Sequence, residues 1–370
     1  MPKPKISVII PVFRGPGTLD KVIEKLLKEK VDKEIIVVID EPTKESMKIV
    51  KKYRRKVKFI LNKKRKGKAL AANQAVKIAK SDILLFLDDD IEIGSKNFLK
   101  NVIDEMKDAD VMEIKKEVVR KNLLSKLTYY EYIGFNIGAW LVGKYTKECP
   151  AVNGAAFAMK KKVVEDAGMF RKVVSEDLDI AVRAFIKGYK FKYTTKAFVK
   201  VHAHTSWKKW FTQRKRWVIG ASLWFKEWWK EILKKSAKRP QIYLPALLFT
   251  YPGFIVFSIN SLIPETWIYK LLMVLAIFIS IKYSIIIPIL STVISTVSLV
   301  KAVIASLLGF FVFGTTFYLI SKKLKFKTFK IHEFFVYYFF YSPITAISQI
   351  VALLIVVIFG KIPKLKDWKI

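Results

Sequence analysis

The sequence is poor in cysteine, in acid and, over its second half, in arginine. A single cysteine, Cys149, excludes an intramolecular disulfide in this 370-residue chain and fits a reducing compartment. Only 31 Asp and Glu stand against 67 Lys and Arg, a formal charge of +36. Such an excess raises a nucleic-acid partner first, but its distribution argues against one. After Arg239 there is no arginine, and twelve lysines and three acids (Glu265, Glu333, Asp367) are set among apolar runs that a soluble nucleic-acid binder would not carry. Anionic lipid head groups and an anionic substrate account better for the basic first half. A secretory core is also missing, since "ISVIIPVF" (6–13) is too short and is interrupted by Pro11. No internal repeat, Ser-His-Asp, Cys-His or zinc-finger spacing occurs.

What is present in the first half is a strand-helix alternation. Residues 6–13, 34–39, 57–61 and 83–88 are short β-branched runs without alternation, as expected of strands buried on both faces. Between them, 18–30, 43–55 and 67–80 carry helical periodicity; the first begins with Thr18 as its cap and places Leu19, Val22, Ile23, Leu26 and Leu27 on one face. This predicts an α/β fold with a parallel sheet covered on both sides and a ligand beyond the carboxyl ends of the strands. From 241 the chain turns apolar over 241–263, 267–320 and 334–359, which reads as four membrane spans of about 20 residues each. Basic segments at 321–330 and 361–369 lie on either side of one span, so either the last segment re-enters or one basic loop lies outside. Between the halves, 206–232 holds six of the nine tryptophans. Trp207, Trp210, Trp217, Trp224 and Trp228 share one helical sector, an interfacial pattern with Lys208, Lys209, Lys215, Lys226 and Lys230 available to lipid phosphates.

Several stretches carry chemistry. "LLFLDDDIEI" (84–93) ends a buried strand in three carboxylates; strand alternation puts Asp88 and Asp90 on one side and Asp89 on the other. Two such carboxylates suit a hard divalent cation shared with a diphosphate, against the alternative of a solvated acidic turn. "NKKRKGKALAAN" (62–73) opens a helix at Gly67, where backbone N–H groups and Lys68 suit a nucleotide diphosphate, or form an ordinary basic loop. Asp40 ends another strand and can accept hydrogen bonds from a base or ribose. At the start of "SEDLDIAVRAF", capping is the favoured role for Glu176, whereas Asp177 is a candidate general base. His202 and His204 offer a third metal ligand or ordinary packing. "TQRKRW" (212–217) is either a lipid-facing basic run or a reactive constellation.

Together these stretches resemble the family 2 glycosyltransferases, in particular the membrane-embedded processive branch that includes cellulose, chitin and hyaluronan synthases. The opening strand, Asp40, "GKALAAN", Asp88 with Asp90 as D-x-D, "NGAAFAMKK" (153–161), Glu176-Asp177 as T-E-D, and Gln213, Arg216 and Trp217 as Q-x-x-R-W occur in the family's order. Arg14 stands where the family often has Asn, and Ser175 replaces the Thr of T-E-D. The resemblance implies a cytoplasmic GT-A domain (1–205), amphipathic interface helices (206–240) and an all-α, multi-pass membrane domain (241–370) in the cell membrane. It implies inverting transfer from a nucleotide diphosphate sugar, with a UDP-sugar the expected donor, onto a growing β-linked polysaccharide with Mg²⁺ or Mn²⁺; the alternative acceptor is a polyprenyl phosphate or another lipid. Asp177 becomes the base beside Glu176. Asp88 contacts nucleotide, Asp90 binds metal, Gln213 and Arg216 hold the leaving diphosphate, and Trp217 supports the acceptor sugar.

Overall fold

The structure, a computed structural model, describes residues 3–15, 17–254, 265–283, 289–361 and 363. It comprises two compact units, Met1–Thr250 with Ile347–Ile370, and Tyr251–Ala346.

In the first unit the expected alternation is present: β1 (Ile6–Phe13), α1 (Leu19–Lys28), β2 (Lys33–Asp40), α2 (Lys44–Tyr53), β3 (Lys58–Asn62), α3 (Lys68–Ile78) and β4 (Ile83–Leu87). Then follow β5 (Ile91–Ile93), α4 (Phe98–Met106), β6 (Val111–Val118), α5 (Leu123–Tyr145), β7 (Ala156–Lys160), α6 (Lys161–Asp166), α7 (Glu176–Ile186), β8 (Phe191–Val201), α8 (Trp207–Ser236) and α9 (Pro240–Thr250). The strands form one sheet in the order β3-β2-β1-β4-β7-β6-β8-β5. Its first half is parallel, as expected; β7 runs antiparallel to both β4 and β6, so the whole is mixed. The runs lack alternation because both faces are covered: Val8, Ile9, Ile10 and Ile36 to Ile39 are all buried.

Pro11 sits inside a central strand, where a missing N–H normally costs a ladder bond. The β1–β4 ladder stops at Ile9, however, and Pro11 lies where the two strands part at their carboxyl ends. Thr18 does not cap α1. Its hydroxyl donates instead to the carbonyls of Asp89 (3.0 Å) and Ile91, tying the helix start to the segment after β4.

The interface region is one continuous helix, α8, rather than several. Its tryptophan sector, expected at head-group depth, largely packs on the α/β domain: Trp210 is fully buried, and Trp224 and Trp228 lie against Val182 and Phe185 of α7. Protein burial supplies the same apolar environment that the sector's sequence demands.

The second unit contains α10 (Glu265–Tyr283), α11 (Ile289–Lys323) and the start of α12 (Ile331–Ile358). Phe310, Phe313 and Phe317 of α11 stack against Phe334 and Tyr338 of α12. Of the four expected spans, two among the described residues are long and apolar enough to cross a membrane, Leu299–Lys323 and Ile331–Ile358. The first expected span is helical over Pro240–Thr250, and its residues 255–263 lie outside the described residues, as do 284–288 of the central run.

Candidate active site

The carboxyl end of β2 delivers Asp40, which is buried. Its Oδ2 accepts the backbone N–H of Lys66 (2.9 Å) and Gly67 (2.7 Å), and its Oδ1 accepts Asn62 Nδ2 (2.8 Å). Asp40 therefore shapes the basic loop before it can serve any ligand. Gly67, at φ 91°, makes the turn into α3 in a region that side chains rarely occupy. Lys68 is thereby placed at the first position of α3, aimed across the sheet.

Lys68 meets acids from two other elements. Its Nζ lies 2.6 Å from Asp88 Oδ1, at the end of β4, and 3.5 Å from Glu176 Oε1, at the start of α7. These groups, with Pro11, Gly154 and Asp177, line one pocket. Burial disfavours the ammonium, but Asp88, Glu176 and Asp177 outweigh it and hold the pKa of Lys68 above its usual range. Glu176 does not cap α7. It is buried facing Lys68, and burial, with Asp177 beside it and despite Lys68, pushes its pKa up to about 7. Asp177 accepts the N–H of Gly154 at Oδ2 (2.7 Å) and of Leu178 at Oδ1 (2.9 Å). A Cβ on Gly154 would stand 2.7 Å from that Oδ2, so the close approach of loop and carboxylate requires glycine here.

Strand β4 ends at Leu87, so the three aspartates occupy a turn and strand alternation does not govern them. They crowd one another. Loss of hydration, then the charges of Asp90 and Asp88, push Asp89 up to about 7; loss of hydration and Asp88 push Asp90 up to about 6. Hard oxygen donors under mutual repulsion suit a divalent cation, which relieves that repulsion. Among the described residues no group of three or more His, Cys, Asp and Glu is set to hold a metal, and Asp88 and Asp90 would offer carboxylate oxygens for only part of a hard cation's shell. His202 is not aimed at such a site alone: its Nε2 lies 2.9 Å from Glu92 Oε1.

Gln213, Arg216 and Trp217 occupy the first turns of α8, half-buried. Burial lowers the pKa of His204, and Lys209, Arg214 and Arg216 lower it further, which marks a strongly positive patch at this helix start. Trp217 lies 6.4 Å from both Tyr132 and Phe135 of α5 between ring centroids. Tyr132, against Trp217, is also close enough to Asn153, next to Gly154, for that side chain to bear on its hydroxyl. Arg214 is a residue of this group that was not expected from the sequence. It is buried, ion-paired with buried Glu131 of α5, and its guanidinium lies 4.1 Å from the Trp217 ring centroid. Its signal was available: Trp210, Arg214 and Trp217 fall on one face at helical spacing. Thus Lys68, Asp88, Glu176 and Asp177 are brought together, Asp90 stands beside them, Asp40 supports them from behind, and the Gln213–Trp217 group adjoins through α5.

Residues 7–162 match the model of glycosyl transferase family 2. The chain is 25% identical over 272 residues to a probable glycosyltransferase, YdaM, of Bacillus subtilis, covering 67% of this chain and 62% of that one. It is 30% identical over 127 residues to a probable glucomannan 4-beta-mannosyltransferase of Oryza sativa subsp. japonica, covering 34% and 22%. The chain thus spans less than two thirds of either relative. Among solved structures, a mannosyltransferase of Pyrobaculum calidifontis in complex with GDP-Man and Mn²⁺ has the same fold, with a TM-score of 0.51 at 14% identity over 82% of this chain and 87% of that one. Over residues 7–162, the chain is similar to the family 2 glycosyltransferases.

Proposed function

We propose that the chain is an inverting, metal-dependent glycosyltransferase that moves a sugar from a nucleotide diphosphate sugar to the end of a growing β-linked polysaccharide at a membrane. The observation that carries this reading is the convergence of Lys68, Asp88, Glu176 and Asp177 on one pocket at the carboxyl ends of β1 and β4. Asp177 is the base. Two backbone N–H groups fix its carboxylate without neutralising it, and the remaining lone pairs accept the proton of the acceptor hydroxyl. As that oxygen bonds C1 from one face, the bond from C1 to the diphosphate oxygen breaks on the other, and the configuration inverts. Lys68 places a positive charge beside Asp88 where the nucleotide diphosphate enters. Gln213 and Arg216 hold the diphosphate, and Trp217 supports the acceptor sugar.

When bound, Mg²⁺ or Mn²⁺ at Asp88 and Asp90 supplies charge neutralisation for the leaving diphosphate. Arg216 does the same from a position fixed by folding, which is where electrostatic help lowers a barrier most. The expected donor is a UDP-sugar, and the mannosyl relatives make GDP-mannose the donor to test beside it. The Q-x-x-R-W spacing supports extension of a polymer, and the helices of membrane length support a bilayer partner. The reading is tested by replacing Asp177 with Asn. We expect turnover to fall by about a thousandfold or more, with donor affinity within about threefold of the parent; normal turnover removes the assignment. Sizing the labelled product separates a polymer from single-sugar lipid adducts, and the latter defeat the polysaccharide claim.

A further inference from the structure

One buried ion pair takes no part in the mechanism above. Glu113 and Lys116 of β6 are 5% and 1% exposed, and Lys116 Nζ lies 2.5 Å from Glu113 Oε1. Strand residues three apart belong on opposite faces. The β6–β8 register breaks between Ile114 and Lys115, where β8 passes from Thr194 to Phe198, and at that break the two side chains meet. A lone ion pair at such depth is a poor source of stability, because desolvation consumes most of the attraction. Its position offers another role. The second oxygen of Glu113, Oε2, accepts the N–H of Asn153 at 2.9 Å, while the next N–H in the chain, that of Gly154, binds Asp177 at 2.7 Å. Two successive amides of one loop are thus pinned by two carboxylates from different elements. Asn136 anchors the pair from α5: its Oδ1 accepts Lys116 N–H (3.1 Å) and its Nδ2 donates to the Lys116 carbonyl (3.1 Å).

We infer that Glu113, held by Lys116, is a positioning residue that sets the Asn153–Gly154 loop and through it the orientation of the Asp177 carboxylate. Burial pulls the Lys116 ammonium down against the pull of Glu113, and the charges of Asp177 and Asp88 also reach it, so the pair lies in the electrostatic field of the pocket. The inference rests on Asp177 being the base.

Two double variants test it in the full-length protein. Glu113→Gln with Lys116→Met and Glu113→Leu with Lys116→Met both remove the buried charges together, leaving none unpaired. Only the first keeps an oxygen for the Asn153 amide. With UDP-glucose and GDP-mannose as donor probes and Mn²⁺ present, the Gln/Met protein should keep kcat within about threefold of the parent, while Leu/Met loses at least about tenfold in kcat at unchanged donor KM. Amide hydrogen exchange over residues 150–156 should quicken about tenfold in Leu/Met alone. Equal exchange in the two proteins, or a loss confined to KM, overturns the inference. Asp177→Asn is measured in parallel: if it turns over normally while exchange still separates the doubles, the base assignment fails and loop positioning stands. If it is dead and exchange does not separate them, positioning fails alone. Exchange decides even where neither donor is used.

Discussion

Glu176 is where charge and fold are most directly coupled. Its carboxyl is buried against Lys68 and titrates at about 7, above the ordinary value of 4.5. A raised acid binds its proton more tightly in the folded chain than in the unfolded one. Between these two values the native state therefore holds more protons, so the contribution to stability falls as pH rises. Glu176→Gln removes this term while Lys68 keeps Asp88 at 2.6 Å. We expect the variant to melt about 2–4 °C above the parent at pH 8, with the difference vanishing near pH 4.5. A parent melting temperature that rises from pH 5 to 8 at the rate of the variant's would contradict the burial account. The sequence placed Glu176 beside Asp177 but assigned it to capping. Its true partner, Lys68, is over a hundred residues away, and no local pattern reports such a distance. Thr18 misled in the same way, since a Thr before a helical run suggests a cap and its hydroxyl serves a distant turn.

Elements became legible where their signal was local. The first three β–α units matched their expected limits to within a few residues, because a run buried on both faces and a helix with one apolar face each announce themselves. The antiparallel insertion of β7 was not legible, since it is defined by pairings with β4 and β6 rather than by its own residues. Nor did the tryptophan stripe reveal which apolar medium it meets. The contact between α8 and the loop before α7 has a sharp requirement of its own. A Cβ on Gly220 would collide with Ser175 Oγ and stand 3.1 Å from Val174 Cγ1, so α8 seats directly on the residue that precedes Glu176 and Asp177. Gly220→Ala gains helix propensity of about 1 kcal/mol yet must push helix and loop apart. We expect kcat to fall by about tenfold or more, with α8 still helical by circular dichroism. Unchanged kcat would show that the loop yields without consequence for Asp177.

At the scale of the whole molecule the open question is topology, and the charge pattern frames it. The basic loop at 324–330 and the basic end beginning at Lys361 are separated by α12 alone, a helix of 28 residues. At about 1.5 Å per residue it exceeds the roughly 30 Å of a bilayer core. Its two π-helical turns, Tyr337–Tyr341 and Leu354–Ile358, widen the helix locally without interrupting it. A continuous apolar helix of that length spans more readily than it re-enters, because a re-entrant segment must break its backbone pairing within the hydrocarbon. A spanning α12 would put one basic segment on each side, against the positive-inside preference at one of them. Replacing Cys149 with Ala frees the chain of its single cysteine, after which Lys327→Cys and Lys361→Cys can be labelled separately with a membrane-impermeant maleimide on intact cells and on inverted vesicles. We expect the two positions to label from opposite sides. Labelling of both from one side would show that α12 does not span, whether it re-enters or stays outside the bilayer.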